Sequence, residues 1–170
     1  MYTIDNSDKV IELTEVPQCS FGAPCPVILS GEHFLHLAYY LQEQEEWDGK
    51  TVRFADGQRS DELCALVRFK MVESYMFGMP SEDTLAGHPL YERGLRRYKV
   101  SEVSHSSWIR ALKRTDAVDR QGKPERFAHL RHYIFPFHDR TFECVAASFE
   151  LSIERGFVSD VLRTSWKENS

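Results

Sequence analysis

The chain has 170 residues, of which 42% are hydrophobic and 28% are charged, and its formal net charge is −5. This length and composition are typical of one folded domain, residues 1–170, and not of a disordered chain. The acidic balance argues against non-specific binding to nucleic acid or to an anionic membrane. No apolar run approaches the ~20 residues of a membrane helix, and the N-terminus lacks a secretory signal pattern, which favours a cytoplasmic location.

The four cysteines show no Cys-x-x-Cys spacing, and a reducing compartment would keep them as thiols. Cys64 and Cys144 lie in apolar runs and are predicted to fill the core. Cys19 and Cys25 flank a loop rich in proline and are predicted to be more exposed.

The first half of the chain shows period-two alternation of apolar residues, which predicts antiparallel strands. Residues 27–30 and 33–42 flank Gly31-Glu32, a pair typical of a hairpin turn. A helix is the alternative for residues 33–42, because their apolar positions also fit one helical face. Residues 62–77 leave the same choice open, with a half-buried strand favoured over residues 64–72. Two further short strands are predicted at residues 10–16 and 51–54.

The second half begins with residues 77–95, whose glycines and prolines exclude one continuous helix or strand. A strand at residues 98–104 precedes a helix that Ser106 or Ser107 caps. Residues 129–137 and 141–153 predict a hairpin, and the C-terminal segment predicts a short helical turn that packs back. The predicted fold class is α+β, a mainly antiparallel sheet or open barrel of about seven or eight strands with one or two short helices.

Four stretches of the sequence resemble a family of short bacterial proteins with no known activity. They are GAPCPV, MFGMPSEDTLAGHPLYERGL, SSWIR and HYIFPFHDRTFECVA. The resemblance covers most of the chain. It implies no activity, cofactor or catalytic residue.

The C-terminal hairpin carries the candidate catalytic residues. If the chain turns at Asp139-Arg140, His138 pairs with Thr141, and Glu143 becomes a diagonal neighbour of His138 on one face. A carboxylate beside an imidazole can form a general base. The alternative is a surface ion pair at the end of the sheet.

A divalent metal site is a second possibility for the same residues. His88 lies on the long loop, and together with His138 and Glu143 it would form a suitable ligand set. His33 and His36 would share a face only on a helix, so the preferred strand separates them.

An acidic and aromatic surface is the remaining candidate, with Glu45, Glu46, Trp47 and Tyr91 as the predicted binding residues. Phosphate-loop, nucleophile-elbow and zinc-binding motifs are absent from the sequence. The favoured function is therefore a non-catalytic binding protein, of an inhibitor or immunity type, whose partner has a basic surface. The alternatives are a hydrolase that uses His138, Glu143 and His88, and a carrier of a small ligand.

Overall fold

The computed structural model describes residues 2–21, 26–42, 55, 57–118 and 124–168. Within these residues, nine strands form two antiparallel sheets, and two helices accompany them. The strands are β1 (Lys9–Glu12), β2 (Val27–Ser30), β3 (Leu35–Tyr40), β4 (Leu63–Lys70), β5 (Ser74–Gly78), β6 (Ser101–Ser104), β7 (Arg131–Pro136), β8 (Thr141–Ala146) and β9 (Ser148–Arg155). The helices are α1 (Ser107–Asp116) and α2 (Val158–Glu168). The α+β class is confirmed, with nine described strands and no closed barrel.

The two sheets face each other across an aromatic core. The first sheet has the strand order β1-β6-β7-β8-β5, and the second has the order β2-β3-β4-β9. Phe69 of the second sheet lies 6.0 Å from Phe135 and 5.5 Å from Phe142 of the first, measured between ring centroids. In each of these strands every second side chain points toward the other sheet, and together these side chains form one layer between the sheets.

Strand β4 is buried on both faces. Ala65, Val67 and Phe69 face the aromatic core, as the alternation predicts. Cys64 and Leu66 face the other way and pack beneath α2. The strand prediction is confirmed, while its half-buried character is wrong because α2 covers the second face.

The β2–β3 hairpin is confirmed, and the helical alternative for residues 33–42 is wrong. Ser30 pairs with Leu35, so the loop has four residues and not two. The Gly31 N–H donates to the Phe34 carbonyl over 3.0 Å. This turn places His33 outside β3, whereas His36 lies within it.

The outer face of the first sheet is covered by the long loop, the N-terminal segment and α1. Leu85, Leu90 and Leu95 of the loop pack on Val103 and Ile134 of the sheet. The loop is irregular, as predicted, with two single turns of 3₁₀ helix. Helix α1 begins after Ser106, whose side chain accepts the Ile109 N–H over 3.3 Å, which confirms the predicted cap.

Two strand pairs form one bent ribbon that passes from one sheet to the other. Lys70 pairs with Ser148, and Ser74 pairs with Val145, so three residues on one strand oppose two on the other. The extra residue makes a β-bulge, which bends and twists a strand pair. Met71 lies in it with a φ of 52° and a 73% exposed side chain.

Cysteine burial and helix length test two further expectations. Cys64 and Cys144 are buried as predicted, but Cys19, which was expected to be more exposed, is also buried and packs in the core between the sheets. Cys25 and the strand expected at residues 51–54 lie outside the described residues.

In the part of the chain that is described, no helix is both long and apolar enough to cross a membrane.

Candidate functional site

The predicted hairpin forms, but its register differs by two residues from the expected one. Pro136 pairs with Thr141, and Ile134 pairs with Glu143, where the prediction paired Pro136 with Glu143. A shift of two residues keeps every side chain on its predicted face. It replaces the neighbour of Glu143, however, so that His132 and not His138 lies diagonally opposite.

Glu143 lies at the centre of a buried hydrogen-bond network on the outer face of the first sheet. Its Oε2 is 2.9 Å from His132 Nε2, and its Oε1 is 3.0 Å from His88 Nε2. The Tyr2 hydroxyl donates to Oε2 over 2.6 Å. The carboxylate therefore has three hydrogen-bond partners that come from the N-terminal segment, the long loop and β7.

The second nitrogen of each imidazole fixes where the ring proton lies. The Leu90 N–H donates to His88 Nδ1 over 3.1 Å, so Nδ1 has no proton and Nε2 donates to Glu143. Ser106 accepts the Ile109 N–H, which leaves its hydroxyl hydrogen for His132 Nδ1 at 2.9 Å. Each ring nitrogen of the two histidines and each oxygen of the carboxylate thus has a hydrogen-bond partner.

The electrostatics of Glu143 follow from these contacts. Burial alone would raise the pKa of this carboxyl, but the hydrogen bonds from His132 and His88, together with the electrostatic attraction of the same two rings, outweigh it and lower the pKa to about 2. Burial, and then the neighbouring Glu143 charge, raise the pKa of Tyr2. The carboxylate therefore stays ionised and the phenol stays protonated at neutral pH.

This network does not suit a metal ion or a substrate. A metal ligand at His88 Nε2 would need a lone pair there, but the Leu90 contact places the ring proton on that nitrogen. The side chains of His88 and His132 are fully buried, so no substrate reaches them. Among the described residues, no group of three or more His, Cys, Asp or Glu side chains is arranged to hold a metal.

The same network joins three covering segments to the sheet. The Tyr2 ring stacks on Trp108 of α1, with centroids 5.2 Å apart, and Trp108 meets the His132 ring edge-on at 5.1 Å. Asp8 accepts hydrogen bonds from the Ser107 backbone and hydroxyl at the start of α1. The network is therefore a structural junction between the N-terminus, α1, the loop and the first sheet.

His138 lies in the hairpin loop and not beside Glu143. Its Nδ1 is 3.0 Å from Glu82 Oε2 and 3.0 Å from the Tyr98 hydroxyl, and its side chain is 49% exposed. An ionised carboxylate only accepts, so Nδ1 carries the proton that faces Glu82. The structure thus brings His88 and Glu143 together and gives His138 a different carboxylate.

The predicted acidic and aromatic surface is described only in part. Glu45, Glu46 and Trp47 lie outside the described residues. Tyr91 is half-buried, and the Arg96 guanidinium lies 5.5 Å from its ring centroid. The binding role of these four residues stays a prediction.

Strand β5 presents exposed apolar side chains at an edge of the first sheet. Tyr75 and Phe77 pair with core residues of β8 but are 42% and 41% exposed, because β5 is the last strand of the sheet. Met79, just beyond the strand, is 62% exposed. Residues 74–80 carry no charge.

The other sheet edges differ from β5. Charged residues occupy β1 at both ends and β9 at three positions, which is how proteins commonly protect an edge from pairing. The short edge strand β2 is uncharged, and it meets β5 where Ser30 Oγ lies 2.8 Å from the Tyr75 hydroxyl. Within the described residues, β5 therefore combines an edge that has no paired strand with two partly exposed aromatic side chains, Tyr75 and Phe77.

A cleft of about 550 Å³ opens at the start of β5, between the β2–β3 turn and the bulge. Phe34, Leu35, Met71, Val72 and Tyr75 supply its apolar surface, and Glu32 and Glu73 supply its carboxylates. A Cβ at position 31 would come within 2.3 Å of the Phe34 ring, so glycine there lets the ring fold over the turn.

Sequence reasoning missed three features of these sites. His132 was detectable, because alternation already places it on the face of Glu143. Tyr2 had no local pattern, since 141 positions separate it from its partner. The edge position of β5 depends on the whole strand order.

In comparisons with known families, curated proteins and solved structures, no match to this chain was found.

Proposed function

We propose that this chain is a non-catalytic binding protein that pairs an extended segment of a partner protein with the edge of β5 on which no described strand lies. The observation that carries the proposal is the uncharged edge strand with partly exposed Tyr75 and Phe77. Adding a strand to an exposed sheet edge is a recurrent mode of peptide recognition, in which backbone hydrogen bonds give affinity and side-chain contacts give specificity.

The buried network supports this choice over a hydrolase. The hydrolase hypothesis needs His138, Glu143 and His88 around one substrate. The Glu143 and His88 side chains are instead closed off from solvent and satisfied by each other. His138 has its own partner, Glu82. Glu143, a candidate catalytic acid or base, thus joins the covering segments to the first sheet.

The shape of the edge also indicates the partner segment. A strand paired with β5 would place alternate side chains against Tyr75, Phe77 and Met79, so those side chains should be apolar. Its other side chains would face outward and can be polar. A partner of this kind buries the exposed row that β5 otherwise leaves in water.

The test uses ten-residue peptides selected from a random displayed library against the whole protein. Phe77→Lys places a charge on the edge and is expected to weaken peptide binding about tenfold or more, measured by fluorescence anisotropy. Met79→Lys provides a second variant at a more exposed position. Ile11→Lys is the matched control, because Ile11 is a 45% exposed apolar residue on the edge strand β1.

The melting temperature of each variant shows that it is folded. Binding that is lost in both Phe77→Lys and Met79→Lys and kept in Ile11→Lys supports the proposal. Peptides that bind equally well to wild type and to all three variants would contradict it. Binding that is lost only in Ile11→Lys would contradict it as well.

A further inference from the structure

We infer that the cleft at the start of β5 binds a lysine or arginine side chain of the segment that pairs with this strand. The inference rests on the proposed function and adds the chemistry of the anchoring residue. Ser74 and Tyr75 line the cleft and are also the first residues of β5. A segment paired with the strand therefore passes the mouth of the cleft.

The charge of the lining selects a cation. The described residues around the cleft include Glu32, Glu73 and His33 and no lysine or arginine. Glu73 is neutralised, because Arg126 contacts its carboxylate at 2.9 and 3.1 Å. Glu32 is exposed and has no hydrogen bond or ion pair to any described residue. One carboxylate at the cleft is thus left for a ligand.

The apolar surface of the cleft suits the stem of the same side chain. Lysine and arginine have long aliphatic stems with a charge at the end, so they pack on apolar walls while the charge reaches a polar rim. Phe34 and Tyr75 add aromatic rings that attract a cation. A volume of about 550 Å³ lies within the usual range of ligand pockets.

The bulge gives the cleft a fixed wall. Met71 has a φ of 52°, which is an uncommon and costly conformation for a residue other than glycine. Its side chain is 73% exposed, although methionine is usually buried. The bulge therefore holds an apolar side chain in water beside the cleft, where a bound stem would cover it.

The experiment measures the coupling between Glu32 and one position of the peptide. Peptides selected on the whole protein are expected to carry lysine or arginine at one fixed position, and replacing it by methionine is expected to weaken binding about fivefold. In Glu32→Gln the same replacement should have almost no effect. Glu15→Gln is the matched control, since it removes one exposed carboxylate outside the cleft.

The outcomes separate this inference from the proposed function. Peptides that depend on Phe77 but show no preference for a basic residue, or no coupling to Glu32, overturn the cleft inference and leave edge pairing intact. Binding that does not depend on Phe77 overturns both. Coupling that disappears in Glu32→Gln and persists in Glu15→Gln supports both.

Discussion

Glu143, a candidate catalytic residue in the sequence, links three segments of the chain to the first sheet in the structure. An acidic residue near two histidines is a common pattern in active sites. Here both imidazoles donate to the carboxylate, and their other nitrogens accept from Leu90 and Ser106. Each ring nitrogen and each carboxylate oxygen has a hydrogen-bond partner, so the network holds the covering segments on the sheet.

The first prediction concerns Glu143→Gln. His88 and His132 both donate to position 143, so the amide NH₂ of glutamine would face a donor and lose a hydrogen bond. We expect a loss of about 2–3 kcal/mol in the free energy of unfolding at pH 7, measured by urea denaturation.

The pH dependence of the same variant tests whether Glu143 is ionised in the folded protein. The pKa of Glu143 is lowered from 4.5 to about 2, so its contribution is present above pH 4.5 and is lost as the pH falls towards 2. The stability difference between wild type and Glu143→Gln should therefore shrink between pH 5 and pH 2. A difference that stays constant over this range would contradict the assigned ionisation.

At the scale of elements, the alternation of apolar residues predicts where strands lie better than it predicts which residues pair with each other. The strands over 27–30 and 63–70 and the cap at Ser106 follow from local patterns, whereas the C-terminal segment forms the 11-residue helix α2 where only a short helical turn was expected. The hairpin register does not, because Pro136 and the turn residues allow two pairings that keep the same faces. The bulge at Met71 has no local pattern either, since methionine is not a residue that favours positive φ.

The second prediction tests the strain in that bulge. Met71→Gly removes a side chain that is mostly in water and relieves a φ of 52°. A left-handed conformation costs about 1–2 kcal/mol for a residue with a Cβ, and glycine costs about 0.5–1 kcal/mol in chain entropy. We expect Met71→Gly to raise the free energy of unfolding by about 0.5–1 kcal/mol.

Ile11→Gly is the control for this prediction, because Ile11 is also exposed but does not have a positive φ. It should destabilise the protein slightly, since glycine weakens a strand. A lower melting temperature for Met71→Gly than for wild type would show that the bulge is not strained.

At the scale of the whole molecule, the sequence predicts the fold class but not which surfaces stay open. Composition and alternation predict an antiparallel α+β protein, and the two sheets bear this out. The aromatic side chains of residues 133, 135, 137 and 142 form part of the layer between the sheets. The strand order decides that β5 lies at an edge, and strand order depends on contacts between distant residues that no local pattern encodes.

The central claim is that the edge of β5 receives a strand from a partner. Hydrogen–deuterium exchange of the whole protein, with and without a selected peptide, tests it most directly, because backbone pairing slows exchange of the amides involved. We predict that the bound peptide slows exchange in residues 74–78 and leaves β1 (Lys9–Glu12) unchanged. Slower exchange in β1 or elsewhere, with residues 74–78 unaffected, would contradict the claim.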